Sequence, residues 1–228
     1  MDALGDLLLP YKEPVAMVAR IVTIGQMFSG SFLCYDIYKQ GSTDGVSIIG
    51  FLGGLVMSIL NLKLGFILRD DTMIQVNYFG LALNIIYTTI FYQYSAQKGK
   101  VWTHIGMAGA FSVAIIGYAE MEDPQLVENR LGAISTAFMF YLISSPLFGL
   151  KHIIKNKSTK GMPFPIIFSG TIVCFMWLLY GIILKNKFLI LQNVVVFVLC
   201  VFQLSLFVIY PSKPKGKEQE KAKAKKIN

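Results

Sequence analysis

The sequence predicts an all-α integral membrane protein: seven transmembrane helices as two parallel three-helix repeats joined by a linker helix, 3+1+3. Three observations predict it. Only 15% of the residues are charged while 54% are hydrophobic, against roughly a quarter charged in a soluble domain. The apolar residues gather into runs of about 20, the length that crosses a hydrocarbon core. The chain also aligns with itself, without a gap, at a shift of 116 residues.

The expected spans are 15–36, 46–68, 73–95, 101–119 (the shortest), 130–150, 162–184 and 188–210. Every backbone polar group in lipid must be bonded within its own segment, so each run is a helix. A barrel would need alternating strands of about 10 residues, and these runs are continuous. Connections are too short for a soluble domain between spans. The N-terminus lacks a basic n-region and an A-x-A-like site, so the first span is expected to remain in the mature chain. The resulting division is an extracellular N-terminus at 1–14, a first triple-helix repeat at 15–95, a linker helix with its loops at 96–129, a second repeat at 130–210 and a basic cytoplasmic tail at 211–228.

Lysine and arginine set the orientation. With the tail inside, that side carries Lys39, Lys98, Lys100, Lys151, Lys155, Lys157, Lys160 and the tail lysines, while the other carries Lys12, Arg69, Arg130, Lys185 and Lys187. The positive-inside rule then puts the N-terminus outside and the C-terminus in the cytoplasm. The net charge of +8 is concentrated in the tail, so it marks no nucleic-acid surface. Cys34, Cys174 and Cys200 lie in apolar runs, without a disulfide framework or metal-ligand spacing.

The duplication is specific. At the 116-residue shift Ser29 meets Ser145, Lys39 meets Lys155, Ser42-Thr43 meets Ser158-Thr159, and Gly45, Gly54 and Gly65 meet Gly161, Gly170 and Gly181. Asn77 meets Asn193. Leucine and isoleucine coincide by chance in any membrane protein; an intramembrane asparagine pair does not. Three spans plus one keep the two triplets in the same orientation, and repeat-built transporters bind substrate between their halves.

The second half reads Pro146, LKHIIKNKSTKGMPFP, WLLYG at 177–181, LQN at 191–193 and QLSLFVIYP at 203–211; the first half reads GSTDGVS, LNLKLG and VNYFG. With these motifs the chain resembles the SWEET (saliva-type) sugar transporters of the PQ-loop superfamily, most closely an animal-like member, from about Val15 to Pro211. The resemblance implies that Asn77 and Asn193 bind sugar hydroxyls, with Asn61 and Trp177 lining the same pocket. It also implies hinge positions at Pro146, Pro163, Gly30 and Gly50, and an outer gate at Tyr180 with Leu64 as its first-half partner.

The residue chemistry agrees. A lone intramembrane asparagine usually bonds a neighbouring helix, but two at matching positions face each other across a pseudo-twofold axis. An amide both donates and accepts, which suits a hydroxyl. An indole packs on the apolar face of a sugar ring, and its N–H can donate. Asn61 opposite Trp177 gives one hydrogen-bonding wall and one stacking wall. Proline makes a local pivot by weakening a helix, so the better-defined hinge is expected in the second triplet. Arg20 and Lys63 lie near outer helix ends and are expected to snorkel. His104 and His152 receive no ligand role, and the tail lysines can meet anionic lipid.

The acids, Asp36, Asp70, Asp71, Glu120, Glu122 and Glu128 among them, fall in loops or at span ends. Proton- and sodium-coupled carriers place acids in the membrane interior, so facilitated, bidirectional diffusion by alternating access is expected. No nucleophile–base constellation, phosphate loop or metal cluster is visible, so no enzymatic activity, cofactor or metal is expected. A sugar substrate, membrane lipids and a homo-oligomer are the expected partners, without nucleic acid. The expected location is the plasma membrane, with the Golgi as the alternative. Three other readings stay open: a proton-coupled PQ-loop carrier of amino acids or metabolites, a seven-helix receptor, and a cargo receptor using Lys63.

Overall fold

The computed structural model describes residues 2–159 and 162–210, with side chains described except at 2, 145–149, 151 and 152. The described residues form nine α-helices. These are α1 (Asp2–Leu8), α2 (Lys12–Met27), α3 (Ser29–Gln40), α4 (Ile48–Leu68), α5 (Asp71–Tyr94), α6 (Lys98–Met121), α7 (Val127–Asn156), α8 (Phe164–Ile183) and α9 (Lys187–Ile209). A 3-10 turn, Leu9–Tyr11, joins α1 to α2.

The helix ends show why the chain breaks where it does. Ser47 opens α4 by accepting from the Ile49 N–H at 3.3 Å. Asp70 opens α5 by accepting from the Met73 N–H at 2.8 Å, and Asn186 opens α9 by accepting from the Phe188 and Leu189 N–H groups. Each supplies a partner to a donor that the helix itself cannot satisfy. The 116-residue shift is repeated in the backbone: Gly41 and Lys157 are left-handed (φ 67° and 49°), as are Arg69 and Lys185 (φ 51° and 53°).

The helix bounds correct three expectations. The first span is interrupted at Phe28 (φ −66°, ψ −11°) between α2 and α3, and the chain is already helical before residue 15. The fourth helix is not the shortest: α6 has 24 residues against 20 in α8. The fifth runs over 30 residues, past both ends of its apolar run. Backbone hydrogen bonding carries a helix beyond its apolar segment into polar residues such as Lys98 and Lys155, so hydropathy marks the membrane and not the helix end.

Among the described residues, six helical stretches are long and apolar enough to cross a membrane: Ala3–Gln40, α4, α5, α6, α8 and α9. Their outer surface is apolar: Phe32 is 72% exposed, Val113 74% and Val208 84%. Water would not tolerate that surface and hydrocarbon does. Inside, α2 packs on α5 and α8, α4 on α5, α6 and α7, and α7 on α9. The contacts α2–α8 and α4–α7 bring the two sequence halves together around a shared core.

Candidate functional site

Between the halves lies a cavity of about 340 Å³. Asn61, Asn77, Trp177 and Asn193 all line it, so the four residues expected there do converge. Ten of the lining residues form five pairs at the 116-residue offset: Thr23 with Met139, Asn61 with Trp177, Met73 with Leu189, Val76 with Gln192, and Asn77 with Asn193. The cavity therefore has twofold geometry with chemically unlike walls.

The asparagine pair is set identically on its two helices. Asn77 Nδ2 donates to the Met73 carbonyl and Asn193 Nδ2 to the Leu189 carbonyl, each at 2.8 Å. A carbonyl needs a donor, so this bond fixes which end of each amide is nitrogen. Among the described residues their Oδ1 atoms take no protein donor. Asn61 goes further: its Oδ1 is fully buried without a hydrogen-bond partner. Such an atom calls for a donor from outside the chain, as a hydroxyl or water supplies.

Trp177 departs from expectation in one respect. Its indole N–H donates to Thr23 Oγ1 at 2.8 Å, and the Thr23 hydroxyl donates to the Ala19 carbonyl at 2.6 Å. The N–H is spent on holding the ring, so the ring face, not its donor, is offered to the cavity. Four polar lining residues were not read from the sequence: Thr23, Ser58, Asn84 and Gln192. Gln192 Nε2 donates to Thr136 Oγ1 at 2.8 Å, and Asn84 Nδ2 to the Gly80 carbonyl at 2.8 Å. The repeat gave no alert to them, because their offset mates (Met139, Cys174, Cys200 and Val76) are apolar.

At the end carrying the C-termini of α4 and α8, the cavity is roofed by Leu64, Met73, Leu131 and Tyr180, each 1% exposed or less. Tyr180 and Leu64 thus stand together in one packed cluster. The Tyr180 hydroxyl donates to Asp70 Oδ2 at 2.5 Å. The other Asp70 oxygen caps α5. The mirror pair cannot do this: Leu64 has no hydroxyl, and Asn186 turns instead to Glu128 Oε1 at 3.1 Å. Trp177 and Tyr180 meet edge to face with centroids 5.7 Å apart, which joins the cavity wall to its roof.

The expected hinge positions fare differently. Pro146 lies within α7, whose backbone runs unbroken, and its side chain is outside the described residues. Pro163 is the N-cap of α8, and its carbonyl takes the first helical bonds from Ile166 and Ile167. It stands before the first turn of α8, so it breaks no bond inside that helix and puts no kink in it. Its offset mate is Ser47, likewise an N-cap, and not Gly50. Gly50 sits in the first turn of α4 with open space where a Cβ would go. Gly30 lies two residues past the break at Phe28, where a Cβ would collide with the Tyr87 ring. The Tyr87 hydroxyl donates to the Met27 carbonyl at 3.1 Å. The observed interruption is therefore in the first triplet.

Both cations near the outer helix ends have protein partners, at exposed positions. Lys63 pairs with Glu120 at 2.5 Å, and Arg20 donates to Gln75 Oε1 at 2.9 Å. Among the described residues no group of three metal-ligating side chains occurs. The side chain of His152, together with Lys160, Gly161 and the tail 211–228, lies outside the described residues.

The MtN3_slv family model, described as a sugar efflux transporter for intercellular exchange, matches residues 13–99 and again 129–215, with the same 116-residue offset. The chain is 28% identical to the sugar transporter SWEET1 of Drosophila pseudoobscura pseudoobscura over 87% of this chain and 89% of that one. It is 28% identical to the sugar transporter SWEET1 of Caenorhabditis elegans, over 94% and 70% respectively. It is also 28% identical to the bidirectional sugar transporter SWEET13 of Oryza sativa subsp. japonica, over 92% and 74%. A solved structure of a eukaryotic SWEET transporter superposes with a TM-score of 0.82 at 21% identity, covering 91% of this chain and all of that one.

Proposed function

The chain belongs to the MtN3_slv family of sugar efflux transporters, and from that premise we propose that it carries a neutral sugar, mono- or disaccharide, across a membrane in both directions down its gradient. It is a transporter and not an enzyme. One observation carries this reading: the cavity between the halves is lined by five carboxamides, one indole and no side chain that ionises. Amides exchange hydrogen bonds with hydroxyls without a full charge to strip of water, so they hold a sugar loosely enough to release it. A proton-coupled carrier needs a titratable group on the path, and this lining offers none.

The helices act as two parallel triplets, residues 15–95 and 130–210, joined by α6, seven spans in all. The N-terminus lies outside and the C-terminus in the cytoplasm, at the plasma membrane or, alternatively, the Golgi. Asn77, Asn193 and Asn61 bind hydroxyls, and Trp177 stacks on the ring. Tyr180 with Asp70 closes the outer end, with Leu64 packed beside them. Rocking of the halves exposes the cavity to each side in turn; Gly30 and Pro146 are the pivots, and copies of the chain associate with one path each. The test is radiolabelled hexose and disaccharide flux in proteoliposomes, with and without a pH gradient. Equilibrating uptake of at least one sugar, unchanged by the gradient, is expected; accumulation above the outside concentration would refute the uniport reading.

A further inference from the structure

A second cavity, about 560 Å³, lies away from the path between the halves. It sits at the end of the bundle that carries Tyr210, between the α3–α4 loop, the α5–α6 connection and the start of α6. Lys98, Lys100 and His104 line it from α6, opposite Ser42 and Asp44.

The start of α6 is electrostatically incomplete. Gln97 gives no side-chain cap, and no acid stands in the first turn. A helix N-terminus already carries about half a positive charge, and Lys98 and Lys100 add to it. Among the described residues neither lysine makes an ion pair. Asp44, across the cavity, is one carboxylate against two ammonium groups and a helix end.

A second feature continues from the first. An apolar groove of about 250 Å³ runs between α4, α6 and α7, with Leu52, Val56, Met107, Phe111 and Tyr141 among its walls. His104 lines both spaces. Its Nδ1 donates to the Lys100 carbonyl at 2.7 Å, which turns the ring so that Nε2 is the remaining acceptor.

The geometry points to a binding site for one anionic phospholipid. Its phosphate sits between Lys98, Lys100 and the open N–H groups of α6, and an acyl chain follows the groove toward the middle of the membrane. A free phosphate would complete the helix end and leave the groove empty; a zwitterionic lipid would fill the groove and leave the lysines with no net anion.

Native mass spectrometry of the full-length detergent-purified protein tests this, with phosphatidylglycerol, phosphatidylcholine and glycerol 3-phosphate as probes. Phosphatidylglycerol is expected to be retained on the order of tenfold better than phosphatidylcholine. The double variant K98Q/K100Q is expected to abolish that preference. K155Q/K157Q, which removes the same charge at the same end of the bundle, is expected to keep it, and glycerol 3-phosphate at equal concentration is expected to displace nothing. Equal retention by K98Q/K100Q and the wild type would overturn the site, as when the tail lysines alone hold the lipid. So would loss of the preference in K155Q/K157Q, or displacement by glycerol 3-phosphate.

Discussion

Asn61, with a buried oxygen that no group among the described residues satisfies, is the cavity residue that most needs a ligand. Asn61→Ala removes that acceptor and is expected to lower sugar flux severalfold while surface expression stays normal. Asn77→Ala and Asn193→Ala are expected to cost tenfold or more each, because each also removes the amide donor that bonds its own helix. Thr23→Val is more diagnostic. It frees the Trp177 indole while keeping a side chain of the same shape at that point of the cavity wall, so it should raise KM severalfold and leave maximal flux nearly unchanged. Concentration-dependent uptake in proteoliposomes reads all four. At the roof, Tyr180→Phe loses one hydrogen bond to Asp70, whereas Asp70→Ala also uncaps α5, a further cost of about 1 kcal/mol. A thermal melt should rank the second well below the first.

At the scale of helices, the close crossings carry the duplication further than side-chain chemistry does. A Cβ on Gly65 would meet Met73 Cβ at 3.1 Å and Ile74 N at 3.2 Å; on Gly181 it would meet Leu189 Cβ at 3.1 Å and Ile190 N at 3.2 Å. Backbone and Cβ atoms cannot swing aside, so Gly65→Ala and Gly181→Ala should destabilise by similar amounts, about 1–3 kcal/mol, read as matched losses in melting temperature. Pro163→Ala should leave flux within twofold, since the residue caps α8 and bends nothing, while Gly30→Ala should cripple transport by forcing the Tyr87 ring away from the break. In the α6–α7 connection, the hydrogen bond from the Tyr118 hydroxyl holds the Glu122 carboxyl below the ordinary carboxylate range, helped by the Asp123 N–H and by Arg130. A carboxyl lowered on folding contributes above its unfolded pKa and loses that contribution only as pH falls through the lower, folded value. Amide exchange at Leu126 and Val127, which bond to the Asp123 carbonyl at 2.9 Å, should therefore stay slow from pH 7 to pH 5 and quicken only in stronger acid.

For the whole molecule, flux should be indifferent to a protonophore, because no group lining the cavity takes or gives a proton. Much of this was legible in the sequence. Hydropathy located the apolar runs, the gapless shift paired Asn77 with Asn193, since equal spacing on equivalent helices gives equal depth, and the family resemblance added Asn61 and Trp177. What stayed hidden were the cavity residues that the shift pairs with a different chemistry and that no family motif marks. Thr23 is matched to Met139 and Gln192 to Val76, so a search for identities passes over them although they share the cavity. The break at Phe28 was hidden for another reason: it depends on the Tyr87 hydroxyl reaching the Met27 carbonyl across 60 residues of chain, a contact that local propensity does not encode.

The hydrogen bond between Tyr180 and Asp70 is drawn from opposite parents. A tandem of two first halves would hold acids without phenols, and a tandem of two second halves phenols without acids. The ancestral duplicates have thus become complementary, like the unlike subunits of a heterodimer. Neither could again serve as its own companion without reinventing that bond.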